Sequence, residues 1–156
     1  DDAMVAIANI EVVQSISGFA PCQVVIEAVV DNLEVKNIVF REIEAAVSAE
    51  TIIASNTSSL SVTTIAAACE RPERVAGMHF FNPVPLMKLV EVIEGVRTAS
   101  YVTGVLMDLG KRMTRTPVLV RDAPGFLVNQ VGRGYNIECV HIASDSVASY
   151  ADIDRI

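Results

Sequence analysis

The stretch Gln23-Val24-Val25-Ile26-Glu27-Ala28-Val29-Val30, followed by a helical-period segment and then by Thr51-Ile52-Ile53-Ala54-Ser55-Asn56, decides the fold. The first run is short and β-branched, the pattern of a strand buried on both faces. Asn32 predicts the N-cap of a helix with an apolar stripe of Val35, Ile38, Val39, Ile43, Ala46 and Val47. Thr51 to Asn56 reads as a second strand, Ser61 to Cys69 as a short helix and Arg74 to Phe81 as a third strand. Strand, helix, strand, helix, strand implies a parallel sheet. Further on, Lys88 to Ile93 reads as a strand, about Ala99 to Met113 as a helix and Pro117 to Val120 as a closing strand. Pro124-Gly125 then opens a longer helix with Leu127, Val131, Tyr135, Cys139 and Ile142 on one side. No internal repeat or low-complexity segment interrupts this order.

The chain's 156 residues are 51% hydrophobic, the length of one domain with a sizeable core. A formal net charge of −7 argues against nucleic acid or an anionic membrane surface as a partner. Cys22, Cys69 and Cys139 show neither C-x-x-C nor metal-ligand spacing, so no metal site is expected and the thiols read as inert. Scattered thiols suit a reducing compartment, with the cytoplasm or an organelle matrix as the default. No run of about 18 residues is free of polar interruption, and the acidic Asp1-Asp2 start is unlike a signal peptide.

The composition changes at Asp122-Ala123-Pro124-Gly125, where alternation of strand and helix gives way to helix alone. Residues 1–122 therefore read as one α/β unit and 123–156 as the beginning of a helical one. A doubly wound dinucleotide domain opens with a strand, G-x-G-x-x-G and a helix. Gly132-Arg133-Gly134 follows helix and has Ile at the third glycine position, so it does not qualify. The first strand-helix-strand unit is missing from this sequence.

Gly77-Met78-His79-Phe80-Phe81-Asn82-Pro83-Val84-Pro85 places one of two histidines at the end of an apolar run, before an Asn-Pro turn, and Glu91 is a lone carboxylate in the next run. An imidazole titrates near neutrality, and a buried carboxylate beside it fixes its tautomer and stabilises its protonated form, which is the arrangement of a general base. Singly, these residues have ordinary readings: a satisfied core histidine, a Glu91 paired with Lys88 on the surface, turn residues at Asp31, Ser58 and Asn82, a solvated helix charge at Lys36 and a solvated helix residue at Asn129. His141, with no carboxylate partner in view, reads as structural.

Four motifs taken together change that balance: Val25-Ile26-Glu27-Ala28-Val29-Val30, Ala54-Ser55-Asn56-Thr57-Ser58-Ser59-Leu60, Gly77 to Pro85, and Asp122-Ala123-Pro124-Gly125-Phe126-Leu127-Val128-Asn129. In order and spacing the chain resembles the L-3-hydroxyacyl-CoA dehydrogenases from roughly Ile10 to its end. The resemblance implies a Rossmann-like α/β domain, here incomplete, followed by the start of an all-α domain that usually dimerises, hence a homodimer for a full-length parent. It implies NAD as cofactor and oxidation of a (3S)-3-hydroxyacyl-CoA to the 3-oxoacyl-CoA, as in fatty-acid β-oxidation, with His79 as base oriented by Glu91. It carries over Ser58 and Asn129 as hydrogen-bonding groups for the substrate oxygen. Ala28, Asp31, Lys36, Asn56, Ser58 and Asn82 are implied around the nicotinamide and its ribose, with Asp31 standing where family members commonly have Glu. Asn129 lies about 200° around the helix from Leu127, off the apolar stripe. Two other readings stand beside this one. The first is a non-catalytic fragment or relative that keeps the fold as a binding or structural protein. The second is a β-hydroxyacid dehydrogenase of the lysine-dependent kind, against which the His79, Glu91, Ser58 and Asn129 set argues.

Overall fold

A computed structural model describes residues 2–155. Asp1 and Ile156, the outer ends of the two units expected from the sequence, lie outside the described residues. After a short helix α1 (Asp2–Ala8) the chain builds one five-stranded sheet, in the order β1 (Val24–Glu27), β2 (Ile52–Ser55), β3 (Val75–Phe80), β4 (Leu89–Glu94) and β5 (Thr116–Arg121). Helices α2 (Leu33–Ala46) and α3 (Val62–Ala66) make the crossovers that keep β1, β2 and β3 parallel. β4 returns antiparallel to β3 without a helix between them, and α4 (Ser100–Arg112) leads to β5, parallel to β4. The sheet is therefore mixed, and the parallel expectation holds for its first three strands. Helices α5 (Val128–Ser144) and α6 (Tyr150–Ile153) complete the described chain.

Side chains alternate across the strands and feed two apolar layers. Val25, Ile53 and Val75 pack with Phe40 and Ile43 of α2 and Ile65 of α3 on one face. Ile52, Ala54, Ala76, Met78, Val90 and Val92 pack with Val102 and Leu106 of α4 on the other. Each fully buried aliphatic or phenyl side chain here is worth roughly 1.5–3 kcal/mol, several times any single propensity difference, so packing decides which face of each helix turns inward.

That hierarchy corrects three expectations. In α2 the stripe is rotated: Val35 and Ile38 are exposed, and Lys36, Phe40 and Ile43 are buried. The cause is an ion pair that draws Lys36 under the sheet. β1 is shorter than its apolar run and lies at the sheet edge with Ile26 exposed, so it is not covered on both faces. It ends at Glu27 because the following backbone turns to meet Lys36. In α5 the expected apolar side, including Leu127, Val131 and Tyr135, is exposed and the helix buries none of its residues. Among the described residues no helix is long and apolar enough to cross a membrane, and no group of His, Cys, Asp and Glu could hold a metal ion.

Candidate active site

In α/β sheets the carboxyl ends of the parallel strands gather polar residues over a crevice. Here Glu27 ends β1, Ser55 ends β2 with Asn56 just beyond it, and His79 is the penultimate residue of β3. The antiparallel register sets His79 directly opposite Glu91, and Nδ1 of His79 lies 2.8 Å from Oε2 of Glu91. Both are buried, at 6% and 0% exposure. With Nδ1–H given to the carboxylate, Nε2 keeps its lone pair. Phe81, its ring centroid 4.5 Å from that of His79, and Phe126, at 5.8 Å, pack on the imidazole.

The other oxygen of Glu91 accepts the backbone N–H groups of Leu127 and Val128, each at 2.9 Å. These are the first free donors of α5, where a carboxylate also meets the positive end of the helix dipole. They are aimed by two consecutive left-handed residues, Gly125 (φ 78) and Phe126 (φ 48). For a phenylalanine that backbone costs on the order of 1–2 kcal/mol. Burial of its ring to 2% exposure against Val62, Ile93 and Val120 offsets the cost by a similar or larger amount.

At the next residue after Val128, Asn129 donates from Nδ2 to the Ser58 carbonyl at 3.3 Å. Ser58 Oγ donates to Asp31 at 3.1 Å, and the Asp31 carboxylate stands 3.3 Å from the Lys36 ammonium. Burial pushes the Asp31 carboxyl up, but hydrogen bonds from the Thr57 side chain, the Ser58 backbone and side chain and Lys36 outweigh it and hold the carboxyl below its ordinary value. Asp31 is thus an acceptor only. Asn56 turns its carboxamide oxygen to the Phe80 N–H at 2.8 Å, which leaves its amide nitrogen as a donor. Ala28, Asp31, Ser58, Asn82 and Asn129 are exposed at this end of the sheet.

Lys36 is the exception, with no exposed surface. Its ammonium bonds both oxygens of Glu27, at 2.8 and 3.1 Å, and the Val29 carbonyl at 3.2 Å, while Glu27 also accepts from Ser55 Oγ at 2.8 Å. Two ions in such a place cost several kcal/mol each in lost hydration, and the structure recovers that only because every lone pair is used. Lys36 therefore shapes the loop that presents Ala28 and Asp31. Glu27, a lone carboxylate in an apolar strand, carries the signal that singles out Glu91, and sequence reasoning left it unassigned. Phe126 was missed as well, and its only mark was the Gly125 before it.

The Asp122 side chain ties the end of β5 to the start of α3. It accepts from Ser61 Oγ at 2.7 Å, Thr63 N–H at 2.8 Å and Val62 N–H at 3.2 Å, next to the loop that carries Ser58. Burial raises its carboxyl, and the bonds from Thr63, Ser61 and Val62 reverse that and leave it lowered from 3.8. A depressed folded-state value stabilises above the unfolded one and loses that stabilisation as pH falls through it. Asp122→Ala is accordingly expected to cost about 1–2 kcal/mol at neutral pH, with the gap to the unchanged protein closing in acid. Urea midpoints at neutral and acidic pH check this, and a gap independent of pH would contradict it. Cys69, by contrast, is inert: burial first, then Glu44, push its thiol up to about 12.

Two openings of ligand size flank the sheet, and volume does not distinguish them. The one of about 590 Å³ is lined by Ser58, Ser59, Pro124, Gly125, Asn129, Gly132, Arg133 and Asn136. The other, about 630 Å³, runs along the β1 edge and is largely apolar. The first contains Ser58 and Asn129 of the candidate residues. Nothing in the sequence supplies a glycine-rich turn for a pyrophosphate.

A mixed sheet with crossover helices, carrying a buried His79–Glu91 pair at the carboxyl end of its third strand, is a Rossmann-like arrangement. The chain belongs to the family described as 3-hydroxyacyl-CoA dehydrogenase, NAD binding domain, which matches residues 1–123. It is 45% identical over 131 residues to the 3-hydroxybutyryl-CoA dehydrogenase of Clostridioides difficile, covering 84% of this chain and 47% of the relative. It is 46% identical over 130 residues to the human mitochondrial hydroxyacyl-coenzyme A dehydrogenase, covering 83% and 41%. The crystal structure of (S)-3-hydroxybutyryl-CoA dehydrogenase from Ralstonia eutropha superposes with a TM-score of 0.91 at 36% identity, covering 97% of this chain and 53% of that one. The chain spans less than half the length of these two curated relatives.

Proposed function

We propose that this chain carries the catalytic base and the nicotinamide side of an NAD-dependent dehydrogenase that oxidises (3S)-3-hydroxyacyl-CoA to 3-oxoacyl-CoA in fatty-acid or related acyl-CoA metabolism. The observation that carries the reading is the buried His79–Glu91 pair at 2.8 Å, linked through α5 to Asn129 and Ser58. Bound NAD supplies the hydride acceptor. His79 Nε2 takes the proton from the C3 hydroxyl as hydride leaves, since neither can depart alone. Glu91 holds the ring in place and balances the imidazolium. Asn129, and the Ser58 hydroxyl once it turns from Asp31, donate to the substrate oxygen where negative charge develops. Ala28, Asp31, Asn56 and Asn82 face the nicotinamide and ribose, and Lys36 acts on them from beneath through Asp31 and Glu27. The reading treats 1–122 and 123–156 as parts of two domains, with the exposed Val131, Tyr135 and Val140 of α5 covered in a longer, homodimeric protein of the cytoplasm.

The test is a fusion that supplies a G-x-G-x-x-G strand-helix-strand unit ahead of β1 and a helical segment after α6, both taken from the Clostridioides difficile relative. It is expected to form NADH from (3S)-3-hydroxybutyryl-CoA and not from the 3R enantiomer. A folded fusion that binds NAD and turns over neither would overturn the reading in favour of a non-catalytic relative.

A further inference from the structure

Glu91 makes three hydrogen bonds with two oxygens, and their division between elements has a consequence for His79. Oε2 takes the imidazole Nδ1 at 2.8 Å. Oε1 takes two N–H groups at the start of α5, both at 2.9 Å. Those backbone groups are donors in every circumstance, so whatever side chain stands at position 91 must present them an acceptor. We propose that the start of α5 fixes which atom of the side chain at position 91 faces His79, so that the free ring nitrogen of His79 depends on what that atom is. Glu91 is a positioning residue in two directions, locking the helix that bears Asn129 to the strand that bears His79. The catalytic meaning of this rests on His79 being the base. The geometry does not.

The carboxylate hides the effect, because both its oxygens accept. A carboxamide exposes it. In Glu91→Gln the side chain fills the same space, and the Leu127 and Val128 N–H groups claim its carbonyl oxygen. The amide nitrogen is then turned to His79 and donates to Nδ1, so the neutral ring must carry its proton on Nε2. An amide imposing the wrong tautomer on a paired histidine is known from serine proteases. Without the α5 contact the carboxamide would be free to turn its oxygen to Nδ1–H, and the tautomer would not change. Gly125 (φ 78) and Phe126 (φ 48) aim the two N–H groups, and the buried Phe126, 2% exposed, anchors that turn.

Ring-nitrogen NMR on the 156-residue chain, followed upward in pH until the His79 ring signals stop moving, reads the tautomer of the neutral ring without substrate or cofactor. His79 has only His141 to be distinguished from. The unchanged chain is expected in the Nδ1–H form and Glu91→Gln in the Nε2–H form, with Leu127 and Val128 still protected from hydrogen exchange. A Gln variant that stays Nδ1–H overturns the proposal. Should that variant fail to fold, exchange in the unchanged chain and in His79→Ala decides. Leu127 and Val128 are expected to exchange at least about tenfold more slowly than unanchored helix-end amides in both proteins, and unprotected amides in either overturn it. An inactive fusion with the tautomer switched would reject the dehydrogenase reading alone; an active one with the tautomer unswitched would reject the α5 control alone.

Discussion

His79→Ala, in a fusion that restores the glycine-rich unit and the rest of the helical part, is expected to lower the rate of 3-hydroxyacyl-CoA oxidation by about 10²–10⁴. The size follows from what the imidazole does. Hydride cannot leave C3 while the hydroxyl proton stays, and in the mutant that proton must pass to water in a site whose floor is Phe81 and Phe126. The fold is expected to survive, because Glu91 keeps its bonds to Leu127 and Val128 when the imidazole is removed. The loss is therefore expected in kcat, with KM for NAD changed by no more than a few-fold, since Asp31, Asn56 and Asn82 are untouched. Steady-state NADH formation at saturating cofactor measures it. A variant within about threefold of the parent would show that another group is the base.

The alternation of strand and helix was legible because each element is set by local pattern: β-branched residues in β1 and β2, a short apolar run in β3, and Asn32 at the start of α2, where its side chain caps Val35 N–H at 3.1 Å. The His79–Glu91 pair was legible for a related reason. A lone carboxylate in an apolar run must be paired, and the only partner in the neighbouring run was a histidine. What the sequence concealed depends on contacts between distant residues. The inward turn of Lys36 is imposed by Glu27, nine positions away at 2.8 Å, and it overrides the aliphatic stripe of α2. The junction of Glu91 with Leu127 and Val128 joins residues 36 and 37 positions apart through backbone groups, which have no sequence signature. The reversal of β4 had a signal that went unread: the connection from Phe80 to Leu89 has no helix and is too short for the crossover a parallel partner needs.

The 156-residue chain by itself is expected to bind NAD no more tightly than about millimolar and to form no NADH. Most of a dinucleotide's anchoring comes from its pyrophosphate, held by the N–H groups of a glycine-rich turn and the dipole of the helix it opens. This sequence has no such turn. What remains is the nicotinamide ring and its ribose, met by a few hydrogen bonds at about 1 kcal/mol each against the cost of immobilising the ligand. Millimolar affinity corresponds to about 4 kcal/mol of net binding, already generous for that set. The same chain also presents the open edge of β1, where the outer backbone groups of Val24–Glu27 are unpaired, beside an apolar groove of about 630 Å³ formed by Cys22, Val24, Ile26, Val105 and Leu109. An open edge beside apolar surface recruits another strand, so oligomers growing with concentration are expected. Calorimetric titration with NAD and light scattering on one sample measure both. Micromolar NAD binding by a clean monomer would mean that the residues at the carboxyl ends of β1, β2 and β3 suffice for the cofactor.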